Sequence, residues 1–247
     1  MGVSRTSLYY VARQDKKDWA FKVLMEDELQ KHPSYGSRRL AIALHASRPR
    51  AQRVMRIFGI KPYRRRSRRY RKYKAKRTFQ NFLLTVRPSY ANHIWAADFT
   101  EMVHHGKKVY VATIIDLFTR QTMGVCVGTR KGAALTIQAL ANALLHHPRP
   151  TIFHSDNGRE YEAKAFIALL EEWAVVISRS RPGCPWENGY QESFYDKFKV
   201  DFGDPNRFTT LGELVAEIYR TIWEYNNTRI HSALKMPPVA FAERLAA

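Results

Sequence analysis

With 247 residues and 45% hydrophobic content, the chain is long enough to bury a sizeable core, as one mid-sized domain plus a smaller one. No run approaches the roughly eighteen apolar residues of a membrane span and no signal-peptide stretch opens the chain, which points to a cytoplasmic protein with no membrane partner. The net charge of +19 is concentrated: residues 1–90 hold 24 Lys and Arg against 5 acids, residues 91–247 hold 17 against 17, the pattern of a nucleic-acid-binding arm on a neutral domain.

The first segment, to about Pro62, reads as helical. Trp19 to His32 carries apolar residues at 20, 21, 24, 25 and 29 and breaks at Pro33; Ser37 is positioned to cap a second helix through His45. Pro49 opens a third in which Val54, Ile57 and Phe58 share a face, with Gly59 at its end. The residues alone fit either a three-helix packing module with surface arginines or a DNA-contacting helix-turn-helix, and Arg38, Arg39, Arg50, Arg53 and Arg56 favour the second. From Arg64 to Arg77, ten of fourteen residues are Lys or Arg and none is acidic. Such a run cannot form a core, but each phosphate it neutralises releases counterions, so Arg64, Arg65, Arg66, Arg68, Arg69, Arg71 and Lys72 are candidate DNA-backbone contacts.

A strand–turn pattern follows. Ile94 to Thr100 is a short apolar strand holding one acid, Asp98; Val109 to Ile115 and Gln121 to Val127 complete a three-stranded meander with turns at Gly106 and 117–120. Asp116 ends the second of these strands and suits a turn cap at Leu117-Phe118. Helix 133–147 stops before Pro148 and is followed by the buried strand Thr151-Ile152-Phe153, with Asp156 at its C-terminal end; His154 is a candidate buttress of the Asp156 loop. A helix at 163–174 and a strand near 175–177 lead to a helix over Trp186 to Val200 with apolar residues at 186, 190, 194 and 198. On that phase Asn188, Glu192, Tyr195 and Lys199 share the opposite, outward face. The tail from Leu211 to Tyr225 is amphipathic, with Leu214, Ile218 and Ile222 in one stripe. Cys126 and Cys184 are too few and too far apart for a zinc site or a disulfide framework.

Several sequence words are more specific than any spacing. His154-Ser155-Asp156-Asn157-Gly158-Arg159-Glu160-Tyr161, Arg181 to Asn188, and Glu192-Ser193-Phe194 with Lys199 resemble the integrase core of bacterial insertion-sequence transposases, in particular the second reading frame (OrfB) of the "IS three" family within the DDE superfamily. Trp95, two residues, Asp98, an apolar residue and Thr100 match the family's first carboxylate motif, and Tyr225 to Leu234 resembles its closing signature. Glu187 stands where the family frequently has Asp.

The resemblance implies an α/β chain with a ribonuclease H-like integrase core, a mixed five-stranded sheet flanked by helices in the order βββαβαβα. It implies a helical module at 1–62, a basic linker at 63–85, the core at 86–204 and a closing segment at 205–247. It casts Asp98, Asp156 and Glu192 as catalytic and metal-binding carboxylates for Mg2+, with Mn2+ as a substitute, and Lys199, Asn188 and Tyr195 as DNA contacts. Hard cations take oxygen ligands, and three acids suffice for two ions that also bind substrate phosphate. The expected reaction is nicking at terminal inverted repeats and strand transfer. The expected partners are double-stranded DNA, as transposon ends and target, and further copies of the chain on that DNA, in the cytoplasm at the nucleoid. In the family the active enzyme is usually a frameshift fusion whose first frame adds a helix-turn-helix and a leucine zipper, so an upstream-frame product or fusion is a further expected partner. A non-catalytic DNA-binding regulator and a general ribonuclease H-like nuclease are the competing readings.

Overall fold

The computed structural model describes residues 14–63, 79–181 and 184–246, and the candidate contacts from Arg64 to Lys72 lie outside them. The chain divides into two compact units, Met1–Arg64 and Arg65–Ala247.

In the first unit α1 (Gln14–Lys31), α2 (Ser37–Ala43) and α3 (Arg48–Ile57) bury Phe21, Met25, Leu40, Ala51 and Val54 against one another. Ser47, not Ser37, supplies a side-chain cap: it accepts from the Arg50 N–H, while Gly36 stands at the N-cap of α2. Arg53 is committed inside this unit, donating through both terminal nitrogens at 2.5 Å to the buried Asp18 carboxylate. Arg50 lies 4.4 Å over the Phe21 ring. Arg39 lies 5.9 Å over the Tyr35 ring, so three of the five arginines that favoured DNA contact are engaged within the unit.

The second unit is built on a sheet ordered β3-β2-β1-β4-β5, from β1 (Ile94–His104), β2 (Lys107–Asp116), β3 (Thr122–Gly128), β4 (Ile152–Ser155) and β5 (Val176–Arg179). The meander is antiparallel, and β4 and β5 add in parallel on the other side of β1. His105 and Gly106 both have positive φ, 45° and 76°, as the tight primed turn between twisted strands demands. Alternation splits the strands between two cores. Ala112 and Ile114 pack with Trp95 and Phe153 under α4 (Ala133–His146) and α5 (Lys164–Glu172). Val111 and Ile115 pack beneath α6 (Gly189–Phe202) and α7 (Leu211–Asn227), whose Leu214, Ile218, Ile222 and Tyr225 belong to the same cluster as Phe194 and Phe198. The chain closes with α8 (Pro238–Ala246). This is the expected βββαβαβα order, with helices on both faces of a mixed sheet.

One helix departs from its expected phase. Residues 185–188 form a 3-10 turn and α6 begins only at Gly189, so Glu192 lies in the first turn rather than mid-helix. The buried stripe is Gln191, Phe194, Tyr195, Phe198 and Phe202, while Trp186 and Tyr190 are exposed. Two polar residues turn inward because the strands beneath offer them hydrogen bonds: Gln191 Nε2 donates to the Ala96 carbonyl at 2.5 Å and Tyr195 Oη to the Asp98 carbonyl at 2.7 Å. The same side chains also reach the Thr113 carbonyl at 3.4 Å and the Val111 carbonyl at 3.3 Å, so both lie over the β1–β2 ladder.

Candidate active site

The parallel register sets two carboxylates side by side. Ala96 pairs with His154, so two residues further along each strand Asp98 and Asp156 emerge on the same face, just beyond the point where the ladder stops. The Asp98 carboxylate accepts the Phe99 N–H at 2.7 Å and the Asp156 carboxylate accepts the Gly158 N–H at 2.8 Å. A Cβ on Gly158 would lie 2.6 Å from Glu160 Oε1 and 2.9 Å from Asp156 Oδ1, so any side chain there would displace the carboxylates of the two acids. His154 is fully buried beneath, its ring nitrogens 2.9 Å from Ser178 Oγ and 3.0 Å from Ser180 Oγ. Burial holds its pKa down near 4, so it is a neutral hydrogen-bonded brace. Asp116 caps its turn through the Phe118 and Thr119 N–H groups, at 2.7 and 2.8 Å.

The electrostatics of the pair are unfavourable in the bare protein. Burial, then the Asp156 charge, pushes the Asp98 carboxyl up to about 7; Glu192 adds to this, while the Phe99 N–H and Lys131 oppose it. Asp156 is raised by burial and by Glu160, against the Gly158 N–H and Lys131. Glu192 is raised by burial and by Asp196. Lys131, in the loop between β3 and α4, sits 2.7 Å from the Glu160 carboxylate and 5.2 Å over the Phe99 ring. It is the cation whose charge reaches both Asp98 and Asp156. Lys131 carries no signal in the sequence, because nothing in Thr129-Arg130-Lys131-Gly132 distinguishes a site lysine from a solvated one.

The structure therefore brings Asp98 and Asp156 together, with Glu192 in the field of Asp98 from the first turn of α6. Among the described residues no three His, Cys, Asp or Glu side chains stand close enough to hold a metal ion as they are. The donor chemistry nevertheless fits a hard divalent cation: oxygen ligands only, two of them crowded into mutual repulsion that such an ion would relieve.

The expected DNA-contact face is corrected in two places. Tyr195 is buried, with its hydroxyl 2.7 Å from Thr113 Oγ1 as well as from the Asp98 carbonyl, so it ties α6 to the sheet and presents nothing to a ligand. Asn188 is only 4% exposed, its Oδ1 is without a hydrogen-bond partner, and it too is removed from the surface by the change of phase. Lys199 stays half-buried, two turns beyond Glu192.

Comparison with known proteins agrees along most of the chain. A family model described as "Integrase core domain" matches residues 88–185, and a second of the same description matches 174–238. An uncharacterized 31 kDa protein of insertion element IS600 from Shigella sonnei is 30% identical over 98% of this chain and 96% of its own length. The transposase for insertion sequence element IS904 from Lactococcus lactis is 29% identical over 81% of this chain and 83% of its own. Among solved structures, a chain of the simian T-cell lymphotropic virus intasome superposes with a TM-score of 0.55 at 17% identity, covering 83% of this chain and 70% of that one, a likeness of fold. No helix among the described residues is long and apolar enough to cross a membrane.

Proposed function

The chain belongs to the insertion-sequence transposases with a DDE-type, ribonuclease H-like integrase core, enzymes that act on DNA, and from that membership we propose that it nicks the terminal inverted repeats of its element and joins the freed 3′ ends to target DNA. The observation that carries the reading is the juxtaposition of Asp98 and Asp156 across the end of the β1–β4 ladder, with Glu192 on the helix above. These three side chains would hold Mg2+, or Mn2+ in its place, and the ions would supply Lewis-acid stabilisation to the attacking and leaving oxygens of the phosphodiester.

The chain's own residues then divide the remaining work. Gln191 and Tyr195 hold α6 against β1, which fixes the distance of Glu192 from Asp98. Gly158 and Glu160 shape the Asp156 loop, and Lys131 offsets the charge of the acid pair. The basic run from Arg64 to Lys72 supplies DNA affinity, and Lys199 a phosphate contact beyond the carboxylates. In this division residues 1–62 and 63–85 serve DNA affinity, 86–204 the chemistry and 205–247 the support of α6. Two ends must be held together for transposition, so the working form is an oligomer on nucleoid DNA in the cytoplasm, with an upstream-frame product as a further partner.

The test is nicking of a labelled duplex carrying the element's own end, with Mg2+ or Mn2+ and with chelator. Cleavage at the repeat boundary that disappears in chelator and in Asp156→Asn is expected. Tight, salt-sensitive binding with no cleavage under any metal would favour the regulator instead.

Lys131→Met separates the acid pair's needs from DNA. Removing a positive charge that acts on both Asp98 and Asp156 should tighten divalent-cation binding by on the order of tenfold or more. Calorimetric titration of the DNA-free protein with Mn2+ reads this directly, and weaker binding in the variant would show that Lys131 does not face the pair.

A further inference from the structure

Gln191 and Tyr195 tie α6 to the sheet along one line, since both bond carbonyls of the β1–β2 ladder. A rigid helix held along one line can still rock about it, and rocking would carry Glu192 towards or away from the two aspartates. A further tie comes from Glu187, in the 3-10 turn that runs straight into α6 five residues before Glu192. Its Oε2 accepts Asn81 Nδ2 at 2.7 Å and the Arg181 N–H at 2.6 Å, and its Oε1 accepts Arg181 Nε. The Glu187 side chain is buried, and bonds to an ionised carboxylate are of the strong, charge-assisted kind.

Asn81 is a firm anchor for that tie. It is buried at the head of the 3-10 turn Phe82–Leu84, where its Oδ1 accepts the Leu83 N–H at 3.0 Å. The same stretch is bonded to β5: the Arg179 N–H donates to the Gln80 carbonyl at 3.1 Å, and the Phe82 N–H to Ser178 Oγ at 2.9 Å. Ser178 in turn pairs with His154, two positions before Asp156. A run of polar groups, from His154 through Ser178, the Phe82 amide and Asn81 to Glu187, thus leads from the strand of Asp156 to the start of the Glu192 helix. β5 lies two strands from β1, about 10 Å across the sheet, so this tie falls well off the Gln191–Tyr195 line and opposes the rocking.

The reach needs a glutamate. Arg181 belongs to the same loop as Glu187, whereas Asn81 comes from a segment 106 residues away. Asp at 187, the residue frequent in the family that the sequence resembles, is one methylene shorter and would keep Arg181 while losing Asn81.

We propose that Glu187 is a positioning residue for the DNA reaction: through Asn81 it fixes Glu192 against Asp156, and so sets the affinity of the three carboxylates for their divalent ions. This rests on the transposase reading given above.

The test measures Mn2+ binding by the full chain on a duplex of the element's end that is already nicked and carries a 3′-deoxy terminus. Such a duplex can be neither cut nor joined, and free Mn2+ is read from its paramagnetic resonance. Glu187→Asp keeps the charge, so a loss of ion affinity reports position rather than a change in the field. It is expected to weaken Mn2+ binding by on the order of tenfold, with DNA affinity in chelator unchanged. Asn81→Ser, which can still cap the Leu83 N–H, cuts the same bond from the other side and should match it. Asn81→Gln returns the missing methylene, and Glu187→Asp with Asn81→Gln should recover most of the loss. In a Glu192→Gln background Glu187→Asp should have no further effect, because it acts through that carboxylate.

A Glu187→Asp protein that melts lower yet binds Mn2+ like wild type would assign Glu187 to stapling its loop and overturn the proposal, with the transposase reading intact. A loss that persists in full beside Glu192→Gln would overturn it too, since the effect would not pass through Glu192. If Glu192→Gln itself left Mn2+ binding on DNA unchanged, Glu192 would be no ligand and both readings would fall together.

Discussion

Asp98→Asn should lower metal-dependent nicking by on the order of a hundred- to a thousandfold and, at the same time, make the metal-free protein more stable at pH 8. The first effect follows from losing an ion ligand whose contribution to the transition state is several kcal/mol, at about 1.4 kcal/mol per factor of ten. The second follows from the sign of its pKa shift. In the fold the Asp98 carboxyl is pushed up to about 7 from 3.8, first by burial and then by Asp156, so between those values the folded chain binds the proton that the unfolded chain has released. Stability is therefore unaffected below about pH 4, falls as pH rises through the interval, and carries the full penalty above about 7. A shift of roughly three units corresponds to at most about 4 kcal/mol, and the partial exposure of Asp98 reduces it. The asparagine variant escapes that penalty. Urea unfolding of both proteins in chelator at pH 5 and pH 8 decides the matter: wild-type stability that is flat across the range, or a variant no more stable at pH 8, would show that the two carboxyls do not crowd each other. Saturating Mg2+ should reverse the order, since it rewards only the protein that keeps both acids.

The same pair shows what the sequence could and could not convey. The strand positions of Asp98 and Asp156 were readable because each ends or interrupts a short apolar strand, while their place in a candidate site came from the resemblance of the surrounding words. The element order βββαβαβα was readable as well, because turn residues and Pro148 punctuate the apolar runs. The phase of α6 was not readable. A stripe at 186, 190, 194 and 198 looked apolar, yet Trp186 and Tyr190 stay outside while Gln191 and Tyr195 go in, because the strand carbonyls of Ala96 and Asp98 reward buried donors that a hydropathy pattern counts as surface. Tyr195 and Asn188 were assigned to DNA on that wrong phase. Arg53 and Lys131 fail for a related reason. Their roles are set by acids distant in sequence, Asp18 and Glu160, and charge composition carries no trace of such pairings.

The closing signature gives the second large effect. Arg229, just past the end of α7, and Asp201, near the end of α6, form an ion pair with Nε and Oδ2 2.5 Å apart and side chains only 3% and 9% exposed. Arg229→Ala leaves a carboxylate buried without this partner, and breaking a pair in that setting costs about 3–5 kcal/mol. For a unit of this size that is a fall in melting temperature of roughly 6–20 °C. Replacing both partners by apolar groups of similar size, Asp201→Leu with Arg229→Met, should recover most of the loss, because two desolvated charges attract only about as strongly as their dehydration costs. The coupling is read from the four proteins in a double-mutant cycle. Single variants that lose less than about 1 kcal/mol would place the pair with ordinary surface bridges and remove the reason for its burial. Nicking supplies the second readout. The pair joins the end of α6 to α7, and α7 in turn holds the β2–β3 turn through Tyr225 and Asn226. A double variant that is stable and still nicks would show that Arg229 acts as scaffold, with the chemistry left to the carboxylates at the other end of α6. A stable double variant that has lost nicking would mean that this end of the helix must be polar for DNA as well as for folding.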